Sequence, residues 1–92
     1  MKIILNNIYK NIGAEGELTM TMGLLSLKTG DTGKVKLINA GKNATRRLYE
    51  MGFNTGASVQ IVKNDAGPVI VCLAGNKVAI GRGLASKIIL EV

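Results

Sequence analysis

The sequence predicts a small β-rich barrel or sandwich, and three features of its composition support this. A chain of 92 residues has room for one hydrophobic core and not for a second. That core must be built from Ile, Val, Leu, Ala and Met, because the chain holds no Trp, one Phe and two Tyr. β-Branched aliphatic side chains suit a half-buried pleated surface, which favours a sheet over a helix bundle. The 12 glycines indicate many turns between short elements.

Five segments after residue 23 have the pattern of β-strands. The alternation in KVKLIN predicts a strand with Val35 and Leu37 on its inner face. The inner positions of three later strands are Val59 and Ile61, then Val78 and Ile80, then Ile88, Leu90 and Val92. The run VIVCL is apolar on both faces, as in a central strand, and we expect Cys72 within it to be buried as a small hydrophobe. The Ala74-Gly75-Asn76 segment that follows indicates a tight hairpin.

Residues 1–23 have a different pattern from the rest of the chain. They combine a short apolar run, several Asn residues and a Gly-Ala-Glu-Gly turn, with no helical period. We expect an N-terminal extension over 1–23, either flexible or folded as an added edge hairpin, and a domain over 24–92. No run approaches the ~20 apolar residues of a membrane span, and the first apolar run is too short for a signal-peptide core. A cytoplasmic location is therefore expected.

The segment RRLYEMGFNTGASVQIV changes from the pattern of a helix to that of a strand. Asn43, just before it, is a suitable N-cap for the helix. The apolar stripe of this helix consists of Ala44, Leu48 and Met51. Gly52 takes the position after the helix end that favours a left-handed conformation, and in that motif Phe53 packs back on Leu48. A short helix is thus predicted between two strands, and GRGLASK can hold one further helical turn before the last strand.

Two arginines at the start of this helix are placed against the helix dipole. Arg46 and Arg47 lie where the dipole favours acidic residues, which indicates a contact outside the domain. The net charge of +6 allows three kinds of partner: nucleic acid, an anionic membrane surface or an acidic protein face. The other basic residues are scattered singly, as on a solvated exterior.

The residue types present give little support to catalysis. The chain has no His, so Ser-His and Cys-His pairs are excluded, and the single Cys cannot form a disulfide within the chain. The glycine pairs Gly30/Gly33 and Gly81/Gly83 lack the spacing of a phosphate-binding loop. We therefore predict a protein that is not an enzyme.

Three segments, LLSLKTGDTGKV, RRLYEMGFNTGASV and VAIGRGLASKIIL, together resemble the ferrous iron transport protein A (FeoA) family. The resemblance covers about residues 24–92. It implies a cytosolic, SH3-like β-barrel of five strands, with a short helix inserted after the first strand. It also implies an accessory role to a membrane-embedded ferrous iron permease that carries a cytosolic G-protein domain (FeoB-like). The matching positions are Arg46, Arg47, Leu48, Glu50, Met51 and Gly52 on the signature helix, and Arg82, Ala85 and Ile88 in the C-terminal signature.

The resemblance and the charge pattern together predict a partner-binding surface. Its residues are Arg46, Arg47, Glu50, Met51 and Arg82. Met51 has two interpretations, since its adaptable side chain suits either a groove on a partner or the core of the domain. The permease would recruit the protein to the inner face of the cell membrane. Exposed aliphatic residues leave weak self-association open.

The iron connection does not lead to a metal site in the sequence. Ferrous iron favours a cluster of imidazole and carboxylate ligands, and the chain has no imidazole. Glu15 and Glu17 are close together, but they fall in the segment expected to be an extension. We predict neither a resident metal nor a cofactor, and at most a weak, transient contact with iron.

Two alternative functions remain. A small basic barrel can bind nucleic acid through lysines, although proteins that hold single strands also use stacking aromatics, which are scarce here. The second alternative is a stand-alone SH3-like domain related to iron-dependent repressors. Such a domain normally follows a DNA-reading helix-turn-helix, for which residues 1–23 are too few.

Overall fold

The structure is a computed structural model that describes residues 2–5, 8–12 and 18–92. Within these ranges the strands are β1 Lys2–Leu5, β2 Ile8–Ile12, β3 Leu18–Gly23, β4 Thr32–Ile38, β5 Ser58–Lys63, β6 Val69–Leu73, β7 Asn76–Ile80 and β8 Ile88–Glu91. The helices are a 3-10 helix at Leu24–Ser26, α1 at Lys42–Met51 and α2 at Arg82–Ala85. The strands form one antiparallel sheet in the order β1-β2-β3-β8-β4-β5-β6-β7.

The mainly β prediction is confirmed in its order of elements. Five strands follow residue 23, α1 lies between the first and second of them, and α2 precedes the last. The sheet is not a closed barrel of paired strands, because β1 and β7 form its two edges in the part of the chain that the structure describes. The β6–β7 turn consists of Ala74 and Gly75, both with positive φ (52° and 81°), so the predicted tight hairpin is confirmed.

The core lies between the sheet, α1 and α2, and is made almost entirely of aliphatic side chains. Its buried members are Leu24, Leu27, Val35, Leu48, Phe53, Val59, Ile61, Val69, Val71, Leu73, Ile80, Ala85, Ile88 and Leu90. The predicted inner positions of β5 are confirmed, since Val59 and Ile61 are both buried. The two predicted inner positions of β7 differ in burial: Ile80 is buried, while Val78 is half-buried and packs against the core.

Two predicted inner positions are wrong, and β4 explains one of them. The register with β8 shifts between Val35 and Leu37, so β4 carries one extra residue at a bulge. The bulge turns Leu37 to the outer face, where 48% of its surface is exposed. Val92 follows the end of β8 and is exposed as well. Neither residue contributes to the core.

The N-terminal strands continue the sheet on the far side of β8. β1 and β2 pair antiparallel, β2 pairs with β3, and β3 joins β8 through Thr21↔Glu91, Met22↔Leu90 and Gly23↔Ile89. The backbone N–H of Val92 also donates to the Met20 carbonyl, at 2.8 Å. The predicted Gly-Ala-Glu-Gly turn lies outside the described residues. The boundary between an extension and a domain at residue 23 stays a prediction.

Candidate protein-interaction site

The N-cap of helix α1 lies two residues earlier than predicted. Its N-cap is Gly41, in an extended conformation, and no side chain caps the helix. The Gly41 carbonyl accepts the N–H of Thr45 at 2.9 Å, and the Thr45 hydroxyl donates to the Ala40 carbonyl at 3.2 Å. The prediction of Asn43 as N-cap is therefore wrong, because Asn43 lies inside the first turn and is exposed. The first turn contains no acidic residue that would favour the positive end of the helix dipole.

The end of α1 follows the prediction. Gly52 is left-handed, with φ 107° and ψ 4°. Its N–H donates to the Tyr49 carbonyl at 3.0 Å, and the Phe53 N–H donates to the Leu48 carbonyl at 3.0 Å. This pair of hydrogen bonds defines a Schellman motif. Phe53 and Leu48 are fully buried in one core cluster, so the motif fixes the orientation of α1 on the sheet.

Three of the predicted partner-binding residues share the solvent side of α1. Arg46, Arg47 and Glu50 are exposed, and their side chains form no hydrogen bond or ion pair with another described residue. Arg46 and Glu50 are four residues apart and still form no salt bridge, consistent with the less favourable order of a cation before an acid. Charge on this surface is therefore left without a partner inside the described part of the domain.

Met51, the fourth predicted residue, is neither fully in the core nor fully available to a partner. It is half-buried and packs against the core cluster. Part of the Met51 side chain packs on the core, so less of its surface is accessible to a partner than that of the exposed side chains on α1.

Arg82, the fifth predicted residue, is positioned by the loop between β5 and β6. Its Nη1 donates to Asn64 Oδ1 at 3.0 Å and to the Asp65 carbonyl at 2.7 Å. Arg82 is exposed, and it does not line the shallow depression on the surface of α1 that Arg46 and Glu50 help to form. Its role in binding stays a prediction.

Tyr49, the aromatic side chain on α1, is not among the predicted partner-binding residues. Tyr49 is 45% exposed, and a shallow depression of about 500 Å³ lies beside it. The depression is lined by Lys42, Thr45, Arg46, Tyr49 and Glu50. Helical spacing could have indicated this, because Tyr49 does not belong to the apolar stripe of Ala44, Leu48 and Met51.

Cys72 is not buried as predicted. It is half-buried and lines an open groove of about 760 Å³ that runs over β4, β5 and β6. The register pairs Cys72 with Gln60 on β5, and Gln60 with Thr32 on β4, so the three residues form one row across the sheet. The charged residues Lys34 and Glu91 also line the groove, and a single half-buried thiol among these side chains gives it no defined chemistry.

The described residues do not assemble a metal site. Over 2–5, 8–12 and 18–92, no three Cys, Asp or Glu side chains lie together as metal ligands. Glu15 and Glu17 fall outside these ranges. In the same part of the chain, no helix has the length and apolar character needed to cross a bilayer.

The fold belongs to the SH3-like class: it is a small, mainly β domain in which helix α1 follows β4, the first strand after residue 23. The FeoA domain family matches residues 22–92, and the chain belongs to that family. A candidate Fe(2+) transport protein A from Methanocaldococcus jannaschii is 47% identical over 64 residues, covering 70% of this chain and 78% of that protein.

Solved structures agree with this assignment. The crystal structure of an iron uptake regulatory protein (FeoA) superimposes with a TM-score of 0.74 at 35% identity, over 79% of this chain and 100% of that chain. FeoA of Stenotrophomonas maltophilia, described as a procaryotic SH3 domain protein and solved with zinc, gives a TM-score of 0.66 at 24% identity. That match covers 75% of this chain and 88% of the other, and it shows the fold alone.

Proposed function

We propose that this protein is a non-enzymatic accessory protein of ferrous iron uptake. It acts in the cytoplasm by binding the G-protein domain of a membrane-embedded iron permease. Membership of the FeoA family and 47% identity to a candidate Fe(2+) transport protein A support the link to iron transport. Binding of a protein partner, rather than of iron itself, is the role that its side chains support.

The observation that carries this proposal is the solvent side of α1. Arg46, Arg47 and Glu50 are exposed there without a partner among the described residues, whereas Lys36 and Lys63 form ion pairs with Glu91 and Asp65, at 3.5 and 3.9 Å. A helix of ten residues is marginal in water, so α1 depends on the packing of its inner face against the domain. The side chains on its outer face are not needed for that packing and are available to a partner. Charged groups presented in this way are suited to electrostatic steering of a complementary protein.

The alternatives find less support in the arrangement of residues. Among residues 20–92, Tyr49 is the exposed aromatic and Phe53 is buried, so this part of the surface lacks a row of stacking aromatics for single-stranded nucleic acid. The N-terminal residues that the structure describes lie in strands β1, β2 and β3, and not in the helices of a DNA-reading module.

The test is a chemical-shift titration of the ¹⁵N-labelled protein with the permease's cytosolic G-protein domain, with a mixed-sequence RNA in a parallel sample. We expect saturable shifts over α1 with the G-protein domain, and none with RNA. Salt-sensitive shifts spread over the lysines with RNA alone would reject the proposal and favour the nucleic-acid alternative. The absence of chemical-shift changes in both samples would also reject the proposal.

The double reversal Arg46→Glu/Arg47→Glu locates the face. Both residues are exposed, so folding should be retained while the affinity for the G-protein domain falls by about tenfold or more. The matched control is Lys77→Glu/Lys87→Glu, which makes the same change in net charge at exposed positions outside α1. Equal losses in the two variants would mean that total charge, and not α1, determines binding.

A further inference from the structure

Tyr49 is placed as the anchor of an interface. It lies at one side of the outer face of α1, with Thr45 four residues before it and Arg46 three residues before it, so these side chains are neighbours on the helix surface. Its hydroxyl forms no hydrogen bond with any described residue. Tyrosine combines a rigid apolar ring with a polar end and is, with Trp and Arg, enriched among the residues that dominate protein–protein binding.

The surroundings of Tyr49 carry a defined charge. Lys42, Arg46 and Arg47 are exposed on the same helix, against the single acid Glu50. None of these four side chains takes part in an ion pair within the described residues. The surface therefore has an excess of cations that nothing on the described part of the molecule neutralises.

We infer that the outer face of α1 binds an acidic protein segment that carries an apolar side chain, with Tyr49 as the anchor and Lys42 and Arg46 as the charge contacts. The apolar side chain enters the depression beside Tyr49, while carboxylates of the segment meet the two cations. An acidic protein segment is the occupant because charge complementarity requires anions, and the aromatic ring requires an apolar group among them. The inference deepens the proposed function, on which it rests, by stating what the partner must present.

Tyr49 offers a direct test because its side chain contributes little to the fold. It is 45% exposed, and the buried member of α1 is its neighbour Leu48. Tyr49→Ala should therefore fold, since Ala is also the better helix former. Leu37→Ala is the control, because Leu37 is also a large hydrophobic side chain, is similarly exposed at 48% and lies on β4.

Two probes are titrated into the full-length ¹⁵N-labelled protein. The first is the permease's G-protein domain. The second is a twelve-residue peptide that alternates Glu with Leu around a central Phe, compared with the same peptide carrying Gln in place of Glu. The second probe does not depend on the permease, so it tests the chemistry of the surface by itself.

We expect both probes to shift the resonances of α1, and the Gln peptide to bind about tenfold more weakly than the Glu peptide. Tyr49→Ala should weaken each interaction about tenfold, Tyr49→Phe by less than about twofold, and Leu37→Ala should leave both unchanged. Arg46→Glu should remove most of the salt dependence of binding.

The outcomes separate the two proposals. If the G-protein domain binds and Tyr49→Ala changes its affinity by less than twofold, the anchor is rejected and the proposed function stands. If the domain does not bind but the Glu peptide binds through Tyr49, the proposed function is rejected and the acidic-segment site stands. If neither probe shifts α1, or if the Gln peptide binds as well as the Glu peptide, the site is rejected.

Discussion

Gly52 shows how one residue determines the orientation of the candidate surface. It holds φ at 107°, and a β-carbon added there would lie 3.1 Å from Leu73 Cδ2, the side chain at the end of β6. The left-handed conformation ends α1, and the missing side chain lets the helix end approach the sheet. Any larger residue must both adopt an unfavourable backbone conformation and displace Leu73.

Gly52→Ala should lower the free energy of unfolding by at least about 1 kcal/mol, because backbone strain and steric conflict act together. Urea denaturation followed by circular dichroism measures this change. Gly83→Ala is the control, since Gly83 lies within α2, has open space around it and is absent from the positive-φ glycines. We expect that control to be neutral or slightly stabilising. Equal stability of Gly52→Ala and the wild type would remove the strain argument.

For single residues, the sequence predicts those conformations that depend on neighbours along the chain. The Gly52 cap is a local pattern, and it was predictable from the helical stripe that precedes it. Gly41 and Asn43 both suit an N-cap, so the choice between them depended on how Thr45 bonds to the preceding loop. Leu37 was not predictable, because the bulge that exposes it is a property of the pairing with β8, about fifty residues later in the chain.

Among the elements, the loop after β5 connects three parts of the fold through one side chain. Asn64 Nδ2 donates to the carbonyls of Leu25 and Leu27, at 3.0 and 2.7 Å, and Asn64 Oδ1 accepts from Arg82 Nη1 at 3.0 Å. The 3-10 helix, the β5–β6 loop and α2 are thereby held in register. Arg82 therefore has a structural contact that is separate from any contact with a partner.

Asn64→Ala should cost about 2 kcal/mol of stability, because two part-buried carbonyls lose their donor. Arg82→Ala should cost less than about 1 kcal/mol, since its contacts are exposed. A double-mutant cycle between the two, measured by thermal and urea unfolding, should give a positive coupling energy. Asn54→Ala is the control, because its exposed side chain makes no hydrogen bond with a described residue. Additive losses in the cycle would mean that the Asn64–Arg82 contact has no energetic value.

The type and order of the elements after residue 23 could be predicted, since both helices and the β6–β7 hairpin carry local signals. The candidate site was predicted in part. Charge identifies Arg46 and Arg47, whereas the prediction does not include Tyr49, although its helical position off the apolar stripe indicates exposure. Arg82 was grouped with them by family resemblance, and its hydrogen bonds to the β5–β6 loop depend on tertiary structure that no spacing in the sequence reports.

For the whole molecule, the sheet order raises the question of where the stable unit begins. The family match starts at residue 22, within β3, and β3 contributes three residue pairs to the edge of β8. A chain that begins at residue 24 loses these pairs, together with the hydrogen bond from Val92 to Met20.

A fragment of residues 24–92 should be about 2 kcal/mol less stable than a fragment of residues 18–92, because it lacks the cross-strand pairs and the packing of Met22 on the core. Chemical denaturation of both fragments and of the full chain gives the comparison. Equal stability of the two fragments would place the N-terminal limit of the domain at residue 24. A further loss between the full chain and 18–92 would show that β1 and β2 contribute to the unit as well.

The position of β8 also has a consequence for how the two parts of the sheet depend on each other. Strand β8, Ile88–Glu91, lies between β3 and β4 and is the element that joins the N-terminal strands to the rest of the sheet. Without β8, β3 and β4 would each present an unpaired edge, and the other strands would form two separate sheets. Loss of this one short strand would therefore divide the sheet into two hydrogen-bonded halves, joined in sequence through residues 24–31.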